Sequence, residues 1–176
     1  MHRSAGLFGT REDVIMGGYT LVLGGHGSGK SVFAEDLFSE HTETKYYIAT
    51  LMVCDREGEE RVLSHRRQRK GKGFITVERL QDVEKAKIKP GSCVLLECAT
   101  NLLANEMFEG GLGCEAAVDK CMKSIGALAA TASFMVVVAT DPKDWQAEDE
   151  ETEEFARAQI LLNEALTAEA DRVYMM

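Results

Sequence analysis

The stretch G-G-H-G-S-G-K-S at residues 24–31 constrains the fold of this chain more than any other. It follows the apolar run Y-T-L-V-L at residues 19–23 and precedes a helical pattern from about Lys30 to Phe38, so it reads as a strand-to-helix turn. The pattern is G-x-x-x-x-G-K-S, and chemistry explains each fixed position. Glycines let successive backbone N–H groups turn inward around phosphate oxygens, and the helix N-terminus adds positive potential. A lysine at Lys30 reaches the terminal phosphates, and a hydroxyl at Ser31 can ligate magnesium. Gly24, Gly25, His26, Gly27, Ser28, Gly29, Lys30 and Ser31 are therefore candidate nucleotide-binding residues. Lys30 is also a catalytic candidate; His26 enters as a loop residue and not as a catalyst.

Downstream, short apolar runs alternate with longer helical patterns. Strands are expected at residues 45–50, 74–77, 93–98 and 134–139, with a short one at the end of the chain. Helices are expected at about 57–68, after Ala99, at 115–130 and at 150–168, with a short charged helix before residue 93. This alternation predicts an α/β fold, a single P-loop NTPase-like domain with a mainly parallel β-sheet flanked by helices. A length of 176 residues suits one domain, assigned to residues 17–176, with residues 1–16 as an N-terminal arm or extension. No apolar run approaches the ~20 residues that cross a bilayer, and the first residues lack the apolar core of a secretion signal. The five cysteines are odd in number and contain no C-x-x-C pair. Reduced, mostly buried thiols in a cytoplasmic protein are the reading that follows.

A second feature goes against the bulk charge. The chain carries a formal net charge of -9, yet Arg61, Arg66, Arg67, Arg69, Lys70 and Lys72 crowd into E-R-V-L-S-H-R-R-Q-R-K-G-K around His65. The acidic remainder excludes a general nucleic-acid-binding surface, which needs a basic face of some extent. On a helix, Arg61, His65 and Arg69 follow at i, i+4 and i+8 and share one side, with Arg69 at an end prone to fray. Two guanidiniums at that spacing suit a phosphate clamp, Arg61 with Arg69, and positive neighbours favour a neutral, nucleophilic imidazole. A solvent-exposed histidine on a basic helix fits the same residues. For the metal, Glu97 closes the apolar run V-L-L-E, as the acidic partner of such a loop commonly does, and Asp141 competes for that role. Ser31 and Glu97 are the Mg2+ candidates.

Together these residues resemble the bifunctional adenosylcobinamide kinase / adenosylcobinamide-phosphate guanylyltransferase family of cobalamin biosynthesis. The likeness runs through the glycine loop and S-V-F-A-E, then Y-I-A-T at residues 47–50. D-R-E-G-E-E-R-V-L-S-H-R-R-Q-R is similar to the family's D-x-E-x-x-x-R-(I/V)-x-x-H-x-x-x-R through Asp55, Glu57, Arg61, Val62, His65 and Arg69. F-I-T-V-E, L-L-E-C-A-T-N-L-L-A-N-E-M-F with Asn105, and the C-terminal L-L-N-E-A-L-T-A-E-A-D-R-V-Y complete it. The resemblance implies that His65 attacks the α-phosphate of GTP and carries GMP to adenosylcobinamide phosphate, itself made with ATP or GTP by the kinase half. It further implies nucleotide contacts at Ala49, Thr50, Leu51, Arg66, Arg67, Gln68, Arg69, Glu78 and Glu97, magnesium as cofactor, and a homotrimer. T-D-P-K-D-W at residues 140–145 departs from the family's N-E-x-G-type segment, and the chain stops at Met176 where members continue into a further tail. The departures leave the nucleotide-transfer site intact by sequence and bear instead on the corrinoid pocket, the kinase half or the trimer contacts. A P-loop small-molecule kinase with no covalent intermediate, or a regulatory NTP-binding module, fits the loop alone.

Overall fold

The computed structural model describes residues 18–143 and 145–176; the expected N-terminal arm lies outside them. Six strands form one sheet: β1 (Thr20–Gly24), β2 (Lys45–Ala49), β3 (Phe74–Glu78), β4 (Cys93–Leu96), β5 (Phe134–Thr140) and β6 (Arg172–Met175). Their order is β3-β2-β4-β5-β1-β6, and every pairing is parallel. Five α-helices flank it: α1 (Lys30–Asp36), α2 (Arg56–Arg69), α3 (Ala99–Ala104), α4 (Cys114–Thr131) and α5 (Glu150–Glu169). The α/β P-loop expectation is met, and the sheet is parallel throughout.

The two-residue period of a strand divides the core into two layers. Leu21, Leu23, Ile48, Val94, Leu96, Met135, Val137 and Ala139 point to one face, where α3, α4 and α5 bury Leu102, Leu103, Ile125, Leu128, Leu162 and Leu166. Val22, Tyr47, Cys93, Leu95, Val136 and Val138 point to the other, against Ala34 and Phe38. Strands covered on both faces must be apolar at every position, which is why C-V-L-L and M-V-V-V-A read as continuous hydrophobic runs.

Smaller differences from the expected elements have local causes. The short charged helix is one 3-10 turn, Val83–Lys85. The helix after residue 98 continues as a π-turn, Asn105–Glu109. β4 ends at Leu96, and Glu97 sits in the bend beyond it. α2 starts from Asp55, whose Oδ1 accepts from the Gly58 N–H at 2.7 Å. Its last residue, Arg69, is buried and not frayed. All five cysteines are unpaired, with Cys93, Cys114 and Cys121 buried. Among the described residues no helix is long and apolar enough to cross a membrane.

Candidate nucleotide site

A parallel sheet delivers the carboxyl ends of its strands to one rim, the usual place for ligands in open α/β sheets. Here that rim carries the glycine loop after β1, the loop from β2 to α2, the end of β3 at Glu78 and the bend after β4.

The glycine loop is shaped for an anion. Gly27 and Gly29 have φ of 69° and 84°, the left-handed region that a side chain resists, so these two glycines let the loop double back into α1. Lys30 Nζ donates to the Gly25 carbonyl at 2.9 Å, folding over the loop it would serve. Burial lowers its pKa, so a phosphate that replaces this carbonyl would also restore a charge partner. Ser28 Oγ is buried and has no hydrogen-bond partner among the described residues, an orphan a phosphate oxygen would satisfy.

Two cavities open on this rim. The first, of about 600 Å³, is lined by His26, Gly27, Ser28, Gly29, Lys30 and Ser31 on one side and by Arg61, His65 and Gln68 of α2 on the other. The second, of about 330 Å³, lies between Tyr47, Ala49 and Leu51, the α2 residues Val62, His65, Arg66 and Arg69, and Glu78. His65, Leu51 and Glu97 border both. The predicted residues are thus brought to one place with few exceptions. Gly24 and Gly25 form the base of the loop without lining a cavity, and Thr50 is buried against the bend after β4, its amide on Glu97 and its hydroxyl on the Cys98 carbonyl. Arg67 lines a separate, shallower depression with Leu63 and Lys70.

The imidazole's surroundings differ from the expected pair of guanidiniums. Arg61 is half exposed, its Nη2 3.8 Å from Glu57, and faces the loop cavity. Arg69 faces the smaller one, its guanidinium 3.5 Å from the Tyr47 ring centroid and its Nη2 donating to Thr76 Oγ1 at 3.3 Å. The two arginines border different cavities, since α2 docks with His65 inward and the arginines fall to either side. Arg69 Nη1 is nevertheless buried with no hydrogen-bond partner among the described residues, a donor that an anion on its own side would satisfy.

A carboxylate meets His65. Its Nδ1 lies 3.2 Å from Glu97 Oε1, which also accepts from the Tyr47 hydroxyl at 3.0 Å. Oε2 takes the amides of Thr50 and Leu51 at 3.0 and 3.3 Å. Burial alone would raise the Glu97 carboxyl, but the bonds from His65, Tyr47 and Thr50 outweigh it and hold it below the ordinary range. Burial and then Glu97 push the Tyr47 phenol up, so it stays a donor. With Nδ1–H given to this anion, Nε2 keeps the lone pair. Both Glu97 oxygens are filled by protein donors, so the carboxylate fits the role of orienting His65 and not that of a metal ligand. Asp141 is likewise engaged, with Lys143 at 2.9 Å. Ser31, on the loop cavity, fits a magnesium that keeps most of its ligands from phosphate and water.

Two residues of this shell entered the sequence reading only as parts of family motifs, with no role attached. Tyr47 belongs to an apolar strand, and its bond to Glu97 spans 50 residues. Asn105, buried in the π-turn, donates to the carbonyls of Thr50 and Leu80 at 2.9 and 2.8 Å and ties the β2 and β3 loops together.

Comparison with known proteins agrees with this geometry. Residues 20–176 match the family described as cobinamide kinase / cobinamide phosphate guanyltransferase. The chain is similar to the bifunctional adenosylcobalamin biosynthesis protein CobU of Escherichia coli (strain K12), 40% identical over 94 residues that cover 52% of this chain and 51% of that protein. It is also similar to the bifunctional adenosylcobalamin biosynthesis protein CobP of Pseudomonas aeruginosa, 36% identical over 88 residues, 48% of this chain and 50% of that protein. The aligned part spans about half the length of these curated relatives. With the glycine loop, the histidine helix and the Glu97 bend all inside the family match, the chain belongs to the cobinamide kinase / cobinamide phosphate guanyltransferase family.

Proposed function

We propose that this protein phosphorylates adenosylcobinamide with ATP or GTP and then guanylylates the product through a covalent histidine intermediate. The observation that carries this reading is His65 on the wall common to both cavities, with Nδ1 held 3.2 Å from the Glu97 carboxylate.

In the first reaction the loop amides and Lys30 hold the triphosphate, and the hydroxyl of the cobinamide arm attacks the γ-phosphorus as the bond to the nucleoside diphosphate breaks. Its proton leaves with solvent or a phosphate oxygen. Mg2+ at Ser31 would neutralise charge on the phosphate oxygens. In the second, His65 Nε2 attacks the α-phosphorus of GTP; a P–N bond forms and the bond to pyrophosphate breaks. The imidazolium so formed is stabilised by Glu97 through Nδ1–H. A phosphate oxygen of adenosylcobinamide phosphate then attacks the same phosphorus, the P–N bond breaks, and neutral His65 returns with adenosylcobinamide-GDP as product. Arg61 on one side and Arg66 and Arg69 on the other offer cations to the charged groups, while Glu78 and Ala49 line the smaller cavity as nucleotide contacts. The unpaired cysteines suit a cytoplasmic location.

The decisive experiment is the intact mass of the protein after incubation with GTP. A GMP-sized increase that is acid-labile and absent in His65→Ala is the expected result. Turnover of cobinamide with no adduct on the wild-type chain would remove the guanylyl-histidine step.

A further inference from the structure

The segment that departs from the family pattern, residues 140–145, carries the chain's single tryptophan to the mouth of the larger cavity. Trp145 is held by a turn, its N–H donating to the Pro142 carbonyl at 2.9 Å. Its ring stacks on Phe155 of α5 with centroids 5.6 Å apart and planes 15° from parallel. Phe155 in turn meets Phe108 of the π-turn at 5.6 Å, and Phe108 is 47% exposed. Three elements distant in sequence thus build one aromatic face that begins inside the phosphate cavity and ends in solvent. A tryptophan needed only to cap Phe155 would not have to border the cavity; this one does.

We infer that this face is the seat for the flat ring of the acceptor, the corrin macrocycle of cobinamide; the inference rests on the function proposed above. A macrocycle is far too large to share the loop cavity with a triphosphate, so only its hydroxyl-bearing arm enters and the ring lies on the rim. The rim formed by α2 is polar, with Arg61, His65 and Gln68. Near the end of β5 the lining offers Trp145, and a flat, polarisable ring gains most on an aromatic surface. One turn before Phe155 and on the same side of α5 stands the exposed Glu151, while Glu150, Glu153 and Glu154 line a different depression with Cys114 and Arg157. The Glu151 carboxylate disfavours an anion on this side and can accept hydrogen bonds from amide N–H groups, which the corrin periphery carries.

The test compares wild type, Trp145→Ala and Trp145→Phe in steady-state kinetics with cobinamide and with the nucleotide varied separately. Trp145→Ala is expected to raise the KM for cobinamide about tenfold while the nucleotide KM moves less than twofold, with Trp145→Phe recovering most of the loss. In parallel, the lone tryptophan's emission in wild type should be quenched by cobinamide, after absorbance correction, and far less by nucleotide. An unchanged cobinamide KM in Trp145→Ala overturns the inference, as does a loss confined to the nucleotide KM, which would place the purine on Trp145. A wild-type protein that consumes no nucleotide with cobinamide would instead overturn the function proposed above.

Discussion

Glu97 gathers four donors on two oxygens, and only one of them comes from the residue it serves. The other three immobilise the carboxylate, which is what lets it fix one tautomer and one orientation of His65. Glu97→Gln keeps the shape but replaces an anion with a dipole and presents an N–H where an acceptor is needed. Guanylyl transfer is expected to slow about 10- to 100-fold, in line with losses when the carboxylate partner of a functional histidine is removed. The same residue predicts a pH effect. Its folded pKa is depressed, so the folded chain releases this proton more readily than the unfolded one. Its contribution to stability is complete above the ordinary carboxylate range and is lost as pH falls through the lower folded value. Urea midpoints measured from neutral pH downward should fall less steeply over that acidic window in Glu97→Gln than in wild type. Equal slopes would show that the carboxylate is not held as described. Sequence reasoning reached Glu97 as a strand-end acid, a candidate nucleotide contact and metal ligand, without its link to His65. Its true partners sit 32, 46, 47 and 50 residues away, and no local period reports such contacts.

At the level of elements, α2 is unlike the other long helices. It buries only Gly58 and Arg69, whereas α4 buries Ala117, Cys121, Ile125 and Leu128 along a continuous apolar stripe. Its attachments are polar: His65 to Glu97, Arg66 to Glu78 at 3.0 Å and Gln68 to Glu35 at 2.9 Å, with Lys72 just beyond it on Glu35 and Asp36. Segments with little apolar burial open at low free energy, and exposed charge pairs weaken with salt. Amide hydrogen exchange should therefore be faster in α2 than in α4, and raising the ionic strength should widen the gap; equal protection would contradict a helix held by charge. The strands and the long helices α4 and α5 were legible in sequence because their patterns report burial directly. The inner side of α2 was legible only as spacing. That Arg61 and Arg69 would flank His65 in separate cavities depends on the rotation at which the helix docks, a property of the whole rim.

For the molecule as a whole, β3 is an edge strand whose Ile75 is half exposed, close in sequence to an equally exposed Leu63 on α2. An edge that no other described strand covers, with apolar neighbours, is a natural place for another chain to pair. We propose assembly into a homotrimer, as the family resemblance suggests. Light scattering should return about three times the chain mass; a single-chain mass would end that part of the reading. The all-parallel sheet has another consequence, a practical one. Apart from Arg67, the candidate site residues gather at the carboxyl rim, and the amino ends of β2, β4 and β5 at Lys45, Cys93 and Phe134 lie a strand's length away, on the order of 15 Å. A tether or dye placed in the turns there, for instance at Thr42 or Lys89, would anchor the protein by its far side and leave both cavities facing outward for working enzyme on a surface.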